Sequence, residues 1–282
     1  MDIVCITAEH YDILTEVIIE GIRCTEHSIK VNNKEFLAEA DLILMFLSME
    51  RKNEPLLNYI VQNKWEKKTA IIDDEDRLEL IEPGAVGVFR IYFKRELYIE
   101  DIRKNIKPMP FGAMKAYFKY KGKVDNKYSV ICSMATGTNL RRLKIEEAVR
   151  SLGIQNSMVG RIGRANACTP STHELKQIYY KSLAESKIGV SYYGSGYETA
   201  RFWEIPASGA LLLSPPIKIQ IPNPPVAGIH FVSYNNEEEL KDKIKYYLEN
   251  EQERALIAKQ GYEYVLKYHT SKERAKYLLG VI

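Results

Sequence analysis

The chain has 282 residues, with 40 basic against 37 acidic side chains and a formal charge of +3, which is too slight to make the whole protein a nucleic-acid or membrane-surface binder. With 45% hydrophobic and 27% charged residues it has an ordinary globular composition, which excludes a disordered chain. Its length exceeds the usual single core and predicts two compact domains.

In the first third, residues 3–7, 42–47 and 69–72 read as strands, separated by periodic helical stretches around 11–22 and 54–63, and residues 88–93 add a further strand. Their apolarity is continuous rather than alternating, as in a parallel sheet covered on both faces. Between 107 and 127 the rhythm breaks at Pro108, Pro110 and Gly112, followed by a lysine- and tyrosine-rich segment. The domain boundary is placed there, giving domains 1–122 and 123–282. Lys115, Lys119, Lys121, Lys123 and Lys127 read as a solvated linker, with a basic patch for an anionic acceptor or membrane face as the alternative.

From 128 the alternation restarts: strand 128–134, helix 139–152, strand 157–159, helix 172–185, strand 188–192, a helix from about 197, and strands 210–213 and 229–232. This predicts a second doubly wound unit of about five strands. The tail is helical. Asn236 precedes Glu239, and Thr270 precedes Glu273, at the spacing of a capping box.

In an open parallel sheet, ligands bind beyond the C-terminal strand ends, where helix N-termini favour phosphate. Two junctions of the second unit have suitable residues. At the first, the small turn around Gly137 lets backbone amides approach an anion, and Arg141 and Arg142 are candidates to clamp a diphosphate. The P-loop spacing is absent, and a plain turn with surface arginines is the alternative. At the second, Gly194 and Gly196 permit close backbone approach, Tyr197 follows, and Glu198, Arg201 and Glu204 recur every third residue. Phe202 and Ile205 point the other way, to the core. A surface ion-pair row explains such a triplet structurally, whereas a carboxylate beside a nucleotide cleft can accept ribose hydroxyls while the arginine faces the phosphates.

At these residues a resemblance enters. Residues 201–213, R-F-W-E-I-P-A-S-G-A-L-L-L, resemble a segment of the spore-maturation-protein-like glycosyltransferases, within the group 1 glycosyltransferases, and the order continues through Tyr234–Leu240, Glu253-Arg254, Gly261 and His269-Thr270. The resemblance implies an α/β GT-B fold: two Rossmann-like doubly wound domains facing across a cleft, the donor on the C-terminal domain and the acceptor mostly on the N-terminal one. It also implies that Glu204 holds the donor ribose, that Arg201 serves the diphosphate or the structure, and that residues 194–197 wrap the phosphates. The glutamate that related retaining enzymes carry eight positions earlier is replaced here by Gly196, with Glu198 as a substitute.

The implied function is transfer of a sugar from a nucleoside diphosphate sugar, a UDP-sugar among them, to an unidentified acceptor. The alternatives are a non-catalytic nucleotide-sugar binding module and a nucleotide-sugar epimerase on the same fold. An inverting mechanism needs a general base, and Asp73 or Asp74, just past an apolar strand, lies where a cleft residue would, as does His10. Solubilising or capping roles are the plain alternatives for all three. The histidines lack metal-ligand spacing and no D-x-D motif lies in the donor half, so a metal-independent transferase with no cofactor is expected. Four scattered cysteines, no signal pattern and no apolar run near the roughly 20 residues of a membrane span predict a cytoplasmic protein without nucleic-acid partners.

Overall fold

The structure is a computed structural model that describes residues 1–7, 12–47, 53–160 and 173–282. The chain divides into two compact units, both discontinuous in sequence. The first comprises Met1–Gly112, Lys218–Pro222 and Ser271–Ile282, and the second Ala113–Ile217 and Asn223–Thr270. The division thus differs from a single boundary after residue 122: residues 113–122 belong to the second unit and 271–282 to the first.

In the first unit the chain runs β1 (Asp2–Ile6), α1 (Ile13–Arg23), β2 (Ser28–Val31), β3 (Leu42–Leu47), α2 (Glu54–Gln62), β4 (Thr69–Asp73), β5 (Ile91–Lys94) and β6 (Ile106–Pro108). The strands form one parallel sheet in the order β2-β1-β3-β4-β5-β6. Every residue of β3 is buried, as its unbroken apolarity requires of a central parallel strand. β2, which the sequence reading omits, alternates exposed and half-buried residues at the sheet edge, and β6 is only three residues long. The strand expected at 88–93 begins at Ile91, because Val88 and Phe89 close a turn on the carbonyl of Ala85.

Helix α1 buries Leu14, Val17, Ile18 and Ile22, spaced on one face. It packs closely on the helix Ser271–Val281: a Cβ at Gly21 would lie 2.1 Å from the carbonyl oxygen of Ser271, so only glycine fits. The Ser271 hydroxyl donates to Glu20 Oε1 beside it, and Arg274 donates through Nε and Nη2 to the Phe111 carbonyl at 3.2 and 2.9 Å.

The second unit contains β7 (Tyr128–Cys132), α3 (Arg141–Ser151), β8 (Ser157–Val159), α4 (His173–Ala184), β9 (Ser186–Val190), α5 (Arg201–Ser208), β10 (Leu211–Ser214), β11 (Val232–Ser233), α6 (Glu237–Glu249) and α7 (Glu251–Tyr268); Ser271–Val281 is α8. Its five strands are parallel in the order β11-β10-β9-β7-β8. The order in which strands are added reverses between β7 and β9, and such a switch point is where ligands bind in open parallel sheets. The core beneath holds Val130, Ile145, Ile188, Leu211, Leu240 and Ile244.

Local chemistry sets the element ends. Asn236 caps α6 by accepting from the Glu239 amide at 2.9 Å. The expected reciprocal bond is displaced by one residue: Glu239 Oε2 takes the amide of Asn235, at 2.8 Å, instead of that of Asn236. Gly209, with φ of 91°, ends α5 in the left-handed conformation. Part of the lysine-rich segment is docked rather than solvated. Lys119 and Tyr120 both donate to Gln177 of α4, and the Lys121 ammonium lies 5.6 Å from the Tyr262 ring centre.

Candidate functional site

The loops leaving β7 and β9 are joined to each other at the switch point. Asn139 Nδ2, in the first loop, donates to the Gly194 carbonyl in the second at 3.1 Å. Arg142, whose residue is 3% exposed, completes the joint. Its Nε donates to Tyr193 O at 2.8 Å and its Nη2 to Tyr192 O at 3.2 Å, while Nη1 reaches Ala135 O and Thr138 Oγ1, each at 2.7 Å. The expected diphosphate clamp at Arg142 is therefore corrected: a guanidinium turned inward onto four loop oxygens shapes the site rather than facing an anion.

Arg141 is the opposite case. Its side chain is exposed, with one long bond from Nη1 to Tyr192 Oη at 3.5 Å, so its donors remain turned to solvent at the loop edge. Gly137 sits in a single 3-10 turn, Thr136–Thr138, with open space where a Cβ would project. Gly194 passes close to Arg142, and its amide donates to the Gly196 carbonyl at 2.9 Å, which tightens the second loop. Tyr197 is exposed and packs edge-on against Tyr193, centroids 5.3 Å apart.

The triplet of the second junction separates in the structure. Glu198 precedes α5, is buried, and accepts the Trp203 indole proton at 2.8 Å, which ties the loop to the core. Arg201 and Glu204 share α5. Glu204 is 8% exposed, and its Oε2 accepts from the hydroxyl of Tyr179 on α4 at 2.8 Å. Its Oε1 carries no hydrogen bond among the described residues. Burial pushes the Glu204 carboxyl above the usual range, opposed by Arg201, the Tyr179 bond and Lys176. Among the described residues Arg201 makes no hydrogen bond or ion pair, and its buried Nε lacks a partner.

Close by, the sequence reading missed Glu146 of α3. Burial raises its carboxyl too, opposed by Arg150, a bond from the Met134 amide, Arg201 and Arg142, and its Oε1 has no partner. Tyr179 was also missed, since a tyrosine inside an ordinary helical pattern gives no signal of its neighbour across the fold. The second unit thus presents a guanidinium with no hydrogen-bonded partner, near two carboxylates that it favours only through space, and a buried carboxylate with one oxygen unused. Both lie on the helix that follows the switch-point loop.

In the first unit Asp73 needs correction as a catalytic base. Its Oδ1 is paired with Lys94 Nζ at 2.8 Å, both side chains being 0% exposed, and its Oδ2 accepts from Tyr92 Oη at 2.7 Å and the Ile81 amide at 3.0 Å. The Glu75 amide also donates to Oδ1, at 3.3 Å, so all four acceptor positions are taken and none is left for a substrate proton. His10 lies outside the described residues. Among the described residues no three His, Cys, Asp or Glu side chains gather to hold a metal ion, and no helix is long and apolar enough to cross a membrane.

Two units, each built on a parallel α/β sheet, are the fold of the GT-B glycosyltransferases. Residues 141–280 match the family described as "Glycosyl transferase-like". The chain is similar over 99% of its length to a glycosyltransferase from Rickettsia africae, at 11% identity, 97% coverage of that chain and a TM-score of 0.66. The same share of it is similar to HepE from Anabaena in complex with UDP, at 9% identity, 98% coverage and a TM-score of 0.61. An α-glucosyltransferase in complex with UDP-glucose and DNA containing an abasic site also matches 99% of the chain, at 10% identity, 98% coverage and a TM-score of 0.60. No curated protein matches the sequence.

Proposed function

We propose that the second unit holds a nucleoside diphosphate sugar, with Glu204 on the ribose and Arg201 and Arg141 on the diphosphate, for transfer of the sugar to an acceptor. The observation that carries this reading is Arg201: a guanidinium with a buried, unpaired Nε beside a buried carboxylate whose Oε1 is unused. A diphosphate supplies the acceptors Arg201 lacks, and a ribose hydroxyl supplies the donor Glu204 Oε1 lacks.

The amide-rich loop 194–197 and the start of α5 add the partial positive charge of a helix N-terminus. Together with the arginines it would neutralise the departing diphosphate without a metal ion. Arg142, Glu198 and Gly137 shape the two loops that hold these groups. Uridine is the favoured base, since two structures of the same fold hold UDP or UDP-glucose. The resemblance of residues 201–213 to the spore-maturation-protein-like branch supports placing the chain there. The free thiols of Cys5, Cys24 and Cys132 support a reducing, cytoplasmic setting.

Calorimetry with UDP and UDP-sugars tests the assignment. Arg201→Gln should weaken UDP binding at least tenfold, as expected when a charged hydrogen bond of about 1.5 to 3 kcal/mol is lost. Unchanged affinity would remove Arg201 from the site. Release of UDP from a UDP-sugar distinguishes a transferase from a module that only binds.

A further inference from the structure

Tyr197 stands in the loop between β9 and α5, at the C-terminal edge of the second unit's sheet, the edge at which open α/β sheets bind ligands. Its neighbours Gly196 and Glu198 are both buried, the latter on the Trp203 indole, whereas Tyr197 itself is 38% exposed. The loop thus turns inward on either side of this residue and sends one large ring out to solvent.

That ring is braced rather than loose. It packs edge-on against Tyr193 at an interplanar angle of 85°. Tyr193 is anchored in turn, since its hydroxyl donates to the Pro216 carbonyl and its ring lies 5.3 Å from that of Tyr192. The bond from the Gly194 amide to the Gly196 carbonyl closes the turn that precedes Tyr197. A tyrosine has only two side-chain torsions to fix, so a braced ring offers contact area at a small entropic cost.

The order of residues sets what the ring meets. Glu204 lies one helical turn into α5, Arg201 is the first residue of that helix, and Tyr197 belongs to the loop ahead of it. A nucleoside diphosphate sugar has the same linear order, because the ribose carries its base at C1′ and the diphosphate at C5′, with the sugar at the far end of the diphosphate. With the ribose on Glu204 and the diphosphate on Arg201, the base extends away from Tyr197 and the sugar toward it.

Resting on the donor reading above, we propose that the Tyr197 ring is the platform on which the transferred sugar lies, which makes it a specificity-determining residue for a pyranosyl group. The C–H bonds on one face of a pyranose are slightly positive and pack on the negative face of an aromatic ring, while the hydroxyls at the rim keep their bonds to water or to loop amides. The platform reads the shape of the sugar and leaves the nucleotide to Arg201 and Glu204.

Calorimetry on the full chain with UDP, UDP-glucose, UDP-galactose and UDP-N-acetylglucosamine tests this. Tyr197→Ala, which removes the ring and keeps the loop amides, should leave UDP affinity within twofold and weaken at least one UDP-sugar about fivefold or more, the loss expected of an aromatic contact. Tyr197→Phe should bind as wild type does, since the contact is made by the ring face. On titration with wild-type protein the sugar C–H protons of that UDP-sugar should move upfield in proton NMR, as a ring current requires, and this reading stands even where Tyr197→Ala fails to fold. Equal weakening of UDP and the UDP-sugars would overturn the proposal by moving the ring to the nucleotide. So would unchanged affinity for every UDP-sugar, rejection of all three sugars by a wild type that binds UDP, or sugar protons without an upfield shift. Failure of wild type to bind UDP overturns the donor reading itself, a separate outcome.

Discussion

Tyr179 on α4 donates its hydroxyl to Glu204 on α5 at 2.8 Å, which leaves a buried carboxylate with a single neutral donor. One such bond does not offset the loss of water around a charge, so the group is held at a cost to stability for the sake of what it can bind.

That cost has a pH signature. The folded carboxyl of Glu204 is raised above its unfolded value, first by burial, so the folded state binds more protons between the two values. The penalty is fully present above the folded value and fades as pH falls through it. Glu204→Gln, which keeps an acceptor for Tyr179, should raise Tm at pH 8 by roughly 2 to 4 °C for about 1 kcal/mol. The gain should vanish near pH 4 in thermal melts over that range. An equal gain at both pH values would contradict it.

Arg141 and Arg142, adjacent in sequence, should separate by experiment. Arg142→Ala leaves loop oxygens without donors and should destabilise the protein by about 2 to 4 kcal/mol in urea unfolding. Arg141→Ala should leave stability within about 0.5 kcal/mol and weaken UDP binding, with a smaller affinity loss on adding salt than wild type shows.

Glycine requirements differ by place. Gly21→Ala puts a methyl 2.1 Å from the Ser271 carbonyl and should cost about 1 to 3 kcal/mol, since backbone must move. Gly137→Ala meets nothing within 4 Å and should leave the urea midpoint unchanged.

The buried pair in the first unit gives a fourth expectation. Lys94→Met strands Asp73 in a site with no exposure and should cost about 3 to 5 kcal/mol. Asp73→Asn in the same background should recover part of that loss, because the stranded charge is gone. A double-mutant cycle by chemical denaturation measures it.

Much of this architecture was legible in the chain. Fully apolar runs such as Leu42–Leu47 are buried on both faces only in parallel sheets, so the α/β class follows from them directly. β2 escaped notice because an edge strand with half-exposed residues has no such run. Arg201 and Glu204 could be singled out because they follow a glycine loop at helical spacing. The division of labour between Arg141 and Arg142 could not, since it depends on which guanidinium turns toward carbonyls contributed some 50 positions later. Asp73 and Asp74 likewise look alike in sequence and differ only through Lys94, Tyr92 and Arg95 on the neighbouring strand and its end.

The assignment of α8 to the first unit bears on synthesis. Glycine 21 is made early, yet the surface it is shaped to meet emerges from the ribosome some 250 residues later. The intervening second unit holds all its own strands before that point and can complete its sheet first. Until residues 271–281 are made, the face of α1 around Gly21 therefore lacks its partner helix, and a nascent chain halted short of residue 271 leaves the earlier-made unit as the unfinished one.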